Sequence, residues 1–318
     1  MVRSLVEIPL LFWIVFNIFV FSMLALDLGV LNRKPHTPSF REAGLWSAAW
    51  ITLALLFNLG VYIWLGPQFG IEFLTGYLIE YSLSVDNIFV FVLIFTSFGV
   101  PSQYQHRVLF WGVLGALVMR GILIFAGAAL IERFQWVLYI FGAFLVFAGI
   151  RMFRSESEEA IDLENNRILK FVRRFVPVTK DYHEQRFFVL EQGKRVATPL
   201  FMVLILVEFT DVLFALDSIP AIFAVTREPF IVYTSNVFAI MGLRSLYFLL
   251  AGIVQKFVYL RYGLAFILTF VGFKILTESF LHISNVVSLL VIAKALAVSM
   301  IASLTIGQKH AGAKETDD

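Results

Sequence analysis

The sequence predicts an all-α, polytopic membrane protein with about nine transmembrane helices. Hydrophobic residues make up 59% of its 318 residues and charged residues only 15%, and the mean hydropathy is +0.84. Soluble domains are less apolar and carry more charge. The apolar residues also form runs of about 20, the length that an α-helix needs to cross the hydrocarbon core of a bilayer.

The composition excludes several classes of protein. The absence of cysteine rules out disulfides, thiol catalysis, iron–sulfur clusters and thiolate metal sites. The net charge is only +2, with too few basic residues for a nucleic-acid surface. No P-loop or other ATP-binding motif is present, and neither is a flavin, haem or nicotinamide motif. We therefore expect neither enzymatic activity nor a tightly bound cofactor.

Nine apolar stretches qualify as spans by length. They are approximately 8–28, 45–65, 72–97, 108–131, 136–152, 199–225, 230–254, 262–280 and 286–306. The first stretch follows Arg3, as in a secretory signal, but continues to Leu26 without a small-residue cleavage site. The sequence therefore predicts an uncleaved first helix.

The distribution of basic residues predicts the orientation in the membrane. Eighteen Lys and Arg residues fall in the segments on one side of the predicted spans, and only Arg3, Arg133 and Arg227 fall on the other. Cytoplasmic loops carry the excess of basic residues in membrane proteins. We therefore expect a multi-pass protein of the bacterial inner-membrane type, with its N-terminus outside and its C-terminus in the cytoplasm.

The longest polar segment, 153–198, is predicted to be a cytoplasmic insert. Its acidic start is followed at 167–175 by a basic amphipathic run that suits the anionic inner leaflet. Residues 186–198, with Gln192 and Gly193 at their middle, predict a short β-hairpin. The insert is interpreted either as a plain connector or as a site of regulation or partner docking.

Two parts of the chain resemble each other. Residues 80–88 in the third span and 211–219 in the sixth share an order of acid, apolar and small residues, then Asp, an amide or hydroxyl, and Ile. Further matches pair Met119-Arg120 with Leu243-Arg244, and 147–151 with 270–274. Each unit contains three spans, an odd number, so spans 3–5 and spans 6–8 must cross the membrane in opposite senses.

This pattern predicts an inverted-topology repeat. Such repeats are common in secondary transporters, whose substrate sites lie near the membrane midplane where the repeats meet. The predicted segments are two N-terminal helices (1–71), the first repeat (72–152), the insert (153–198), the second repeat (199–280), and the last helix with its tail (281–318).

Ionisable residues lie deep in the predicted spans. There are five acids, namely Glu80, Asp86, Glu208, Asp211 and Asp217. Comparably deep basic residues are Arg120 and Arg244, one in each repeat, and each is expected to balance its own unit. Charged groups in a membrane are costly unless they are paired or line a polar cavity. About three negative charges therefore need protons or a cation, and a divalent ion fits that deficit.

Helical geometry refines this arrangement. Asp86 lies six residues after Glu80 and Asp217 six after Asp211, about 240° around an ideal helix, so the acids of each pair would diverge. Pro220 predicts that the sixth span kinks or unwinds near Asp217 and frees backbone carbonyls. A matching break in the third span depends only on the repeat.

The available ligands favour a hard cation. Carboxylates, the Asn87 amide and the Ser218 hydroxyl suit Mg²⁺, Ca²⁺ or Mn²⁺, whereas Zn²⁺ and Cu⁺ prefer imidazole or sulfur. No histidine lies in a predicted span.

Other charged residues are expected to be structural. Asp27 and Glu72 lie near span ends, where they are predicted to be hydrated. Lys274 and Glu278 are one helical turn apart and are predicted to pair.

Three stretches resemble the signature sequences of the TerC family of integral membrane proteins. They are 80–87 (EYSLSVDN), 208–226 (EFTDVLFALDSIPAIFAVT) and 234–244 (TSNVFAIMGLR). Residues 33–36 and 46–50 resemble its Alx-like members. The resemblance implies export of metal ions, chiefly Mn²⁺ as transported substrate, with associations to tellurite resistance and redox modulation. It marks as metal ligands Glu80, Asp86, Asn87, Glu208, Asp211, Asp217 and Ser218, with Arg120 and Arg244 balancing charge.

Alternatives stay open at this point. The acids could pair with the two arginines for structural reasons, and Asn87 and Ser218 could simply hydrogen-bond neighbouring helices. The chain could be a membrane scaffold that assists partners or envelope redox balance without moving ions. An intramembrane hydrolase is a weaker third hypothesis, because no histidine-containing metal motif accompanies the acids. The lipid bilayer and a metal ion are the expected partners.

Overall fold

Helices form nearly all of the regular structure. The computed structural model describes residues 8–26, 38–154, 176–191, 193–251, 259–278, 280–281 and 283–314. The helices are α1 (Leu10–Leu26), α2 (Phe40–Trp64), α3 (Pro67–Ser97), α4 (Ser102–Arg133), α5 (Val137–Arg154), α6 (Pro199–Phe223), α7 (Pro229–Met241), α8 (Leu243–Leu250), α9 (Leu260–Thr277) and α10 (Asn285–Lys314). The strands are β1 (Phe188–Glu191) and β2 (Lys194–Ala197). Asp27 and the amphipathic run at 167–175 lie outside the described residues.

The polytopic membrane architecture is confirmed. Seven helices of the described chain, α2 to α6, α9 and α10, are long and apolar enough to cross a membrane. Helix α1 has 17 residues, and the predicted seventh span is divided between α7 and α8. The count of nine spans therefore stays a prediction. Large apolar side chains such as Leu45, Trp64 and Phe147 are exposed on the outer faces of the helices, as is typical of a surface that faces lipid.

The expected break in α3 and the expected unwinding of α6 are wrong. Helix α3 is continuous through Asp86 and Asn87, and α6 is continuous to Phe223 with Pro220 inside it. Pro220 lies in the last turn of α6, so only one backbone hydrogen bond is lost there. The Ala224 N–H still donates to the Pro220 carbonyl at 3.1 Å. The helix therefore ends near Pro220 without unwinding at the acids.

The interruption lies instead in the seventh predicted span, at Gly242. The Gly242 carbonyl accepts hydrogen bonds from Leu246 N–H at 3.0 Å and from the Ser245 hydroxyl at 2.9 Å. A serine hydroxyl that bonds a nearby carbonyl competes with the helical ladder. A Cβ at Gly242 would lie 3.6 Å from the Trp50 Cβ, so α2 also packs closely here. Gly242 itself keeps helical dihedrals (φ −76°, ψ −15°), so the two helices follow one another without a loop between them.

Helix packing follows a paired pattern. Helix α3 packs on α7 as α6 packs on α4, and α3 also contacts α6. Helix α5 packs along α9, and α10 lies against α9 and α3. The first two helices flank this group through aromatic contacts, such as that of Trp13 with Phe230 at 5.0 Å between ring centroids. The Tyr233 hydroxyl also donates to Asn17 Oδ1 at 2.8 Å and joins α7 to α1.

Small residues bring α5 and α9 together at two points. A Cβ at Gly149 would lie 2.7 Å from the Ala265 carbonyl oxygen, and one at Gly272 would lie 2.6 Å from the Gly142 carbonyl oxygen. The sequence match equates Gly149 with Gly272, and therefore Gly142 with Ala265. A two-fold axis that related the two units would convert the first of these contacts into the second, so both contacts are expected together. The repeat itself stays a prediction.

The predicted hairpin is confirmed. Strands β1 and β2 pair antiparallel from Phe188–Ala197 to Glu191–Lys194, and Gly193 has φ +77° at the turn. The Tyr182 hydroxyl donates to the Phe98 carbonyl at 2.8 Å, which fastens the segment before the hairpin to the end of α3. Burial raises the pKa of Tyr182 to about 12, so the hydroxyl keeps its proton at neutral pH. The hairpin therefore marks one end of the helical bundle.

Candidate functional site

A buried ion cluster joins three helices near the middle of the bundle. Arg120 of α4 donates from Nε and Nη2 to the two carboxylate oxygens of Asp211 on α6, at 3.0 and 2.9 Å. Its Nη1 donates to Glu80 of α3 and, at 3.3 Å, to the Ser218 hydroxyl. None of the three charged residues is more than 3% exposed. We call these four residues the Arg120 cluster.

Helix geometry explains why these side chains meet. Ser218 follows Asp211 by seven residues, close to two full turns, so both project from one face of α6. Helix α4 approaches that face through small residues, since a Cβ at Gly112 would lie 3.1 Å from Val207. Helix α3, which carries Glu80, also contacts α6. The fold therefore places one acid on α3 and one on α6 within reach of the single deep guanidinium of α4.

The expected charge pairing is wrong in one respect. Arg120 was expected to balance its own repeat, but its guanidinium bonds one carboxylate from each of the two predicted units. The bidentate Asp211 contact comes from the other unit, because α4 packs on α6. With both carboxylates ionised, the cluster carries one more negative charge than positive.

Asn236 belongs to the site although no role was predicted for it. Its side-chain amide donates to Glu80 Oε2 at 3.0 Å, and its own Oδ1 is buried without a hydrogen-bond partner among the described residues. The signal was present in the sequence, because Thr234, Ser235 and Asn236 are consecutive polar residues in an apolar span. All three are fully buried on α7.

Glu208 lies one turn before Asp211 on α6. Its carboxylate packs over Gly115 of α4, where any Cβ would collide with it. Its Oε2 is buried and has no hydrogen-bond partner within the described part of the chain. Glu208, next to the Arg120 cluster, therefore has a buried carboxylate oxygen that accepts no hydrogen bond from the described residues.

The remaining predicted residues are distributed around this centre. Asp217 is half-buried on another face of α6 and forms none of the hydrogen bonds of the cluster. Asn87 is buried on α3, close to two turns after Glu80. Arg244 is half-buried in the first turn of α8, and the Asp86 side chain lies outside what the structure describes. Among the described side chains, no three acids or histidines lie close enough to hold a metal ion. The metal assignment therefore stays a prediction.

A second polar cluster surrounds Glu72. The prediction that Glu72 is hydrated is wrong, because it is only 3% exposed. It accepts hydrogen bonds from Gln68 at 2.9 Å, Thr226 at 2.6 Å and Asn285 at 3.2 Å. Lys274 donates to Asn285 at 2.9 Å. We call these five residues the Glu72 cluster.

The expected pairing of Lys274 with Glu278 is also wrong. Lys274 is buried and its ammonium bonds Asn285, whereas Glu278 lies 3.9 Å from Arg227 on the surface. The start of α10 reaches into the bundle at this point and supplies a closer partner than the next turn of α9. His106, which lies just outside the predicted fourth span, is near the start of α4, where its ring stacks on Phe248 at 6.3 Å between ring centroids.

Comparisons with known proteins identify the family. The family described as "Integral membrane protein TerC family" matches residues 65–311, more than half of the chain. A Myxococcus xanthus protein, "Uncharacterized membrane protein STKORF319", is 53% identical over 305 residues, covering 96% of this chain and 95% of that protein. "Putative membrane-bound redox modulator Alx" of Escherichia coli K12 is 47% identical over 312 residues, covering 95% of this chain and 96% of that protein. No solved structure matches. The chain therefore belongs to the TerC family of integral membrane proteins.

Proposed function

We propose that this protein is a secondary transporter that exports a hard divalent cation, with Mn²⁺ as the favoured ion. The observation that carries the proposal is the Arg120 cluster, in which two buried carboxylates share one guanidinium where α3, α4 and α6 meet. A scaffold gains nothing from a buried cluster with excess negative charge, because replacing such groups by apolar ones is often stabilising. A cation carrier needs that charge.

Arg120 supports an exchange mechanism. Its guanidinium is a counter-cation that Glu80 and Asp211 share, so only one of the two negative charges is left uncompensated when no ion is bound. An entering divalent cation competes with Arg120 for these carboxylates. The unused Glu208 oxygen, one turn away, is a first acceptor for that ion. With Arg120, Glu80 and Asp211 all charged, the site carries a net charge of −1 when empty and +1 when it holds a divalent ion, so neither state buries a large net charge in the membrane.

The oxygens around the site favour a hard ion. Asn236 Oδ1 and Ser84 Oγ are buried and lack a hydrogen-bond partner among the described residues. Asn236 touches Glu80, and Ser84 follows Glu80 by one turn on α3. Amide, hydroxyl and carboxylate oxygens suit Mn²⁺ or Mg²⁺ better than Zn²⁺ or Cu⁺. The choice of Mn²⁺ and the direction of export come from the family resemblance.

Transport can be tested with purified protein. We expect proteoliposomes to carry Mn²⁺ to an enclosed metal-sensitive dye faster than protein-free liposomes, and Zn²⁺ and Cu⁺ to cross little faster than in those controls. Mg²⁺ and Ca²⁺ in excess should slow the Mn²⁺ signal, because they use the same hard ligands. Equal Mn²⁺ rates with and without protein would reject transport of this ion.

The orientation is part of the proposal and has its own test. The bias of 18 basic residues against three predicts that the C-terminus and the insert are cytoplasmic. A reporter fused after the last helix or within 153–198 should therefore signal a cytoplasmic position. One placed at 66–70, between α2 and α3, should signal the outside. A periplasmic signal from the C-terminal fusion would overturn the proposed orientation.

A second function keeps support from the relatives. Several are named as membrane-bound redox modulators, which fits a scaffold that acts in redox or metal stress, including tellurite resistance. The chain has no cysteine, so a redox role would act through a partner or through metal content. Cells that lack the protein could have the same Mn²⁺ content as cells that carry it, but an altered envelope redox state. That result would favour this hypothesis over transport.

A further inference from the structure

We infer that Glu72 is the latch of a gate that closes the end of the bundle opposite the hairpin. The inference rests on the proposed transport function and extends it to the control of ion release. Glu72 lies near the start of α3, whereas the hairpin segment is fastened to the other end of α3 through Tyr182 and Phe98. In the proposed orientation, the Glu72 end faces the outside.

Three separate segments meet at this one carboxylate. Gln68 comes from α3 itself, Thr226 from the α6–α7 connection, and Asn285 from the start of α10. Lys274, at the end of α9, reaches the carboxylate through Asn285. The carboxylate thus ties an element of the first predicted repeat to two elements of the second and to the last helix. Relative motion of the repeats must break some of these bonds.

Glu72 and the Arg120 cluster are connected by one side of α3. Glu72, Gly76 and Glu80 follow one another at four-residue spacing, so each lies one turn from the next. Glu72 and Glu80 are therefore about 12 Å apart along the axis. Glu72 and the Arg120 cluster therefore lie along the same side of α3, two turns apart.

A tight helix contact fills the space between Glu72 and the Arg120 cluster. A Cβ at Gly76 would lie 3.0 Å from the Ser235 hydroxyl and 3.2 Å from Ile222. Ser235 is fully buried on α7, and its neighbour Asn236 bonds Glu80. Helices α3, α6 and α7 therefore leave no room at Gly76 for an ion to pass. We therefore interpret the described conformation as closed toward the Glu72 end.

The polar groups at this end suit a latch better than a permanent apolar seal. Glu228, at the start of α7, is also buried close to Glu72. Burial and the nearby Glu72 carboxylate raise the pKa of Glu228, while a hydrogen bond from the Phe230 N–H lowers it. When the hydrogen bonds of Glu72 break, water can solvate both acids, so opening this end exposes groups that prefer water.

The gate can be tested by thiol labelling, because the chain has no cysteine of its own. Ser235→Cys puts one thiol beneath the latch with little change of volume. A charged, membrane-impermeant methanethiosulfonate is added to membrane vesicles of both orientations. We expect slow labelling in the otherwise unaltered chain. Adding Glu72→Gln should raise the rate about tenfold from the side that the Glu72 end faces, since at least one charge-assisted hydrogen bond is lost.

Two further variants keep the result interpretable. Glu278→Gln removes a half-exposed carboxylate at the same end, paired at 3.9 Å with Arg227, and should leave the labelling rate unchanged. Thr226→Val removes one donor to Glu72 without changing charge and should raise the rate in the same direction. The latch is overturned by equal labelling rates with and without Glu72→Gln. It is also overturned if Glu278→Gln raises the rate as much as Glu72→Gln does.

The labelling uses no metal, so its outcome is separate from that of the transport assay. A raised labelling rate without any Mn²⁺ flux would support the gate and reject the proposed cargo. Mn²⁺ flux together with unchanged labelling would support the cargo and reject Glu72 as the latch.

Discussion

Cells exposed to elevated Mn²⁺ should retain more manganese when they carry Asp217→Asn than when they carry the intact protein at equal membrane abundance. Asp217 is half-buried and forms no hydrogen bond of the Arg120 cluster, so this nearly isosteric change spares the described ion pairs. It removes one negative charge and a carboxylate that the family resemblance marks as a metal ligand, which should weaken binding of a hard divalent ion by about tenfold. Manganese content is measured by elemental analysis.

The matched control is Asp181→Asn, which makes the same chemical change at an exposed position outside the helices. It should leave manganese content at the level of the intact protein. Zinc and copper contents should barely respond to either variant. Identical manganese in cells with the intact protein, Asp217→Asn and an empty vector would reject Mn²⁺ export and move the scaffold hypothesis ahead. A change in zinc alone would reject the ligand-hardness argument.

Arg120→Ala should cause the largest loss of protein among single substitutions in the site. It leaves Glu80 and Asp211 buried without their counter-charge, at a cost of about 3–5 kcal/mol. A loss of that size lowers steady-state abundance several-fold, which a quantitative blot of membranes would measure. Arg244→Ala was expected from the repeat to behave alike. We expect a smaller loss, because Arg244 is only half-buried.

A triple variant separates folding from transport. Arg120→Met combined with Glu80→Gln and Asp211→Asn removes the guanidinium and both carboxylates, so no buried charge is left uncompensated among them. Abundance should recover substantially, while Mn²⁺ flux in proteoliposomes should stay at the background rate. Normal abundance and flux in Arg120→Ala alone would mean that Arg120 balances no essential charge. Restored flux in the triple variant would exclude Glu80 and Asp211 as ion ligands.

The Arg120 cluster and the Glu72 cluster differ in how much of each could be predicted from the sequence. Glu80, Asp211, Ser218 and Arg120 were all predicted, because charged and polar residues are conspicuous in apolar spans. Their partners were not, since the pairing of Arg120 with Asp211 depends on α4 packing against α6. Asn236 was overlooked for the same reason: an amide in an apolar helix becomes a site residue only when another helix brings an acid to it.

The Glu72 cluster shows the opposite case. A carboxylate near the end of a span can reach water at little cost, so the position of Glu72 along the chain predicted exposure. Here the α6–α7 connection and the start of α10 cover it and supply hydrogen-bond donors. Burial at a helix end is decided by neighbours that are far away in sequence.

Composition and periodicity alone determined that this chain is an all-α membrane protein with acids inside its helices. They also predicted the hairpin, because turn residues such as Gly193 act locally. The tertiary structure decided where the helices break, which carboxylates share Arg120, and that Glu72 is buried. Hydrophobicity and turn chemistry act over a few residues and can be read in order along the chain. Ion pairing, close glycine contacts and the covering of a buried acid depend on which helices become neighbours, and that is settled only when the whole bundle packs.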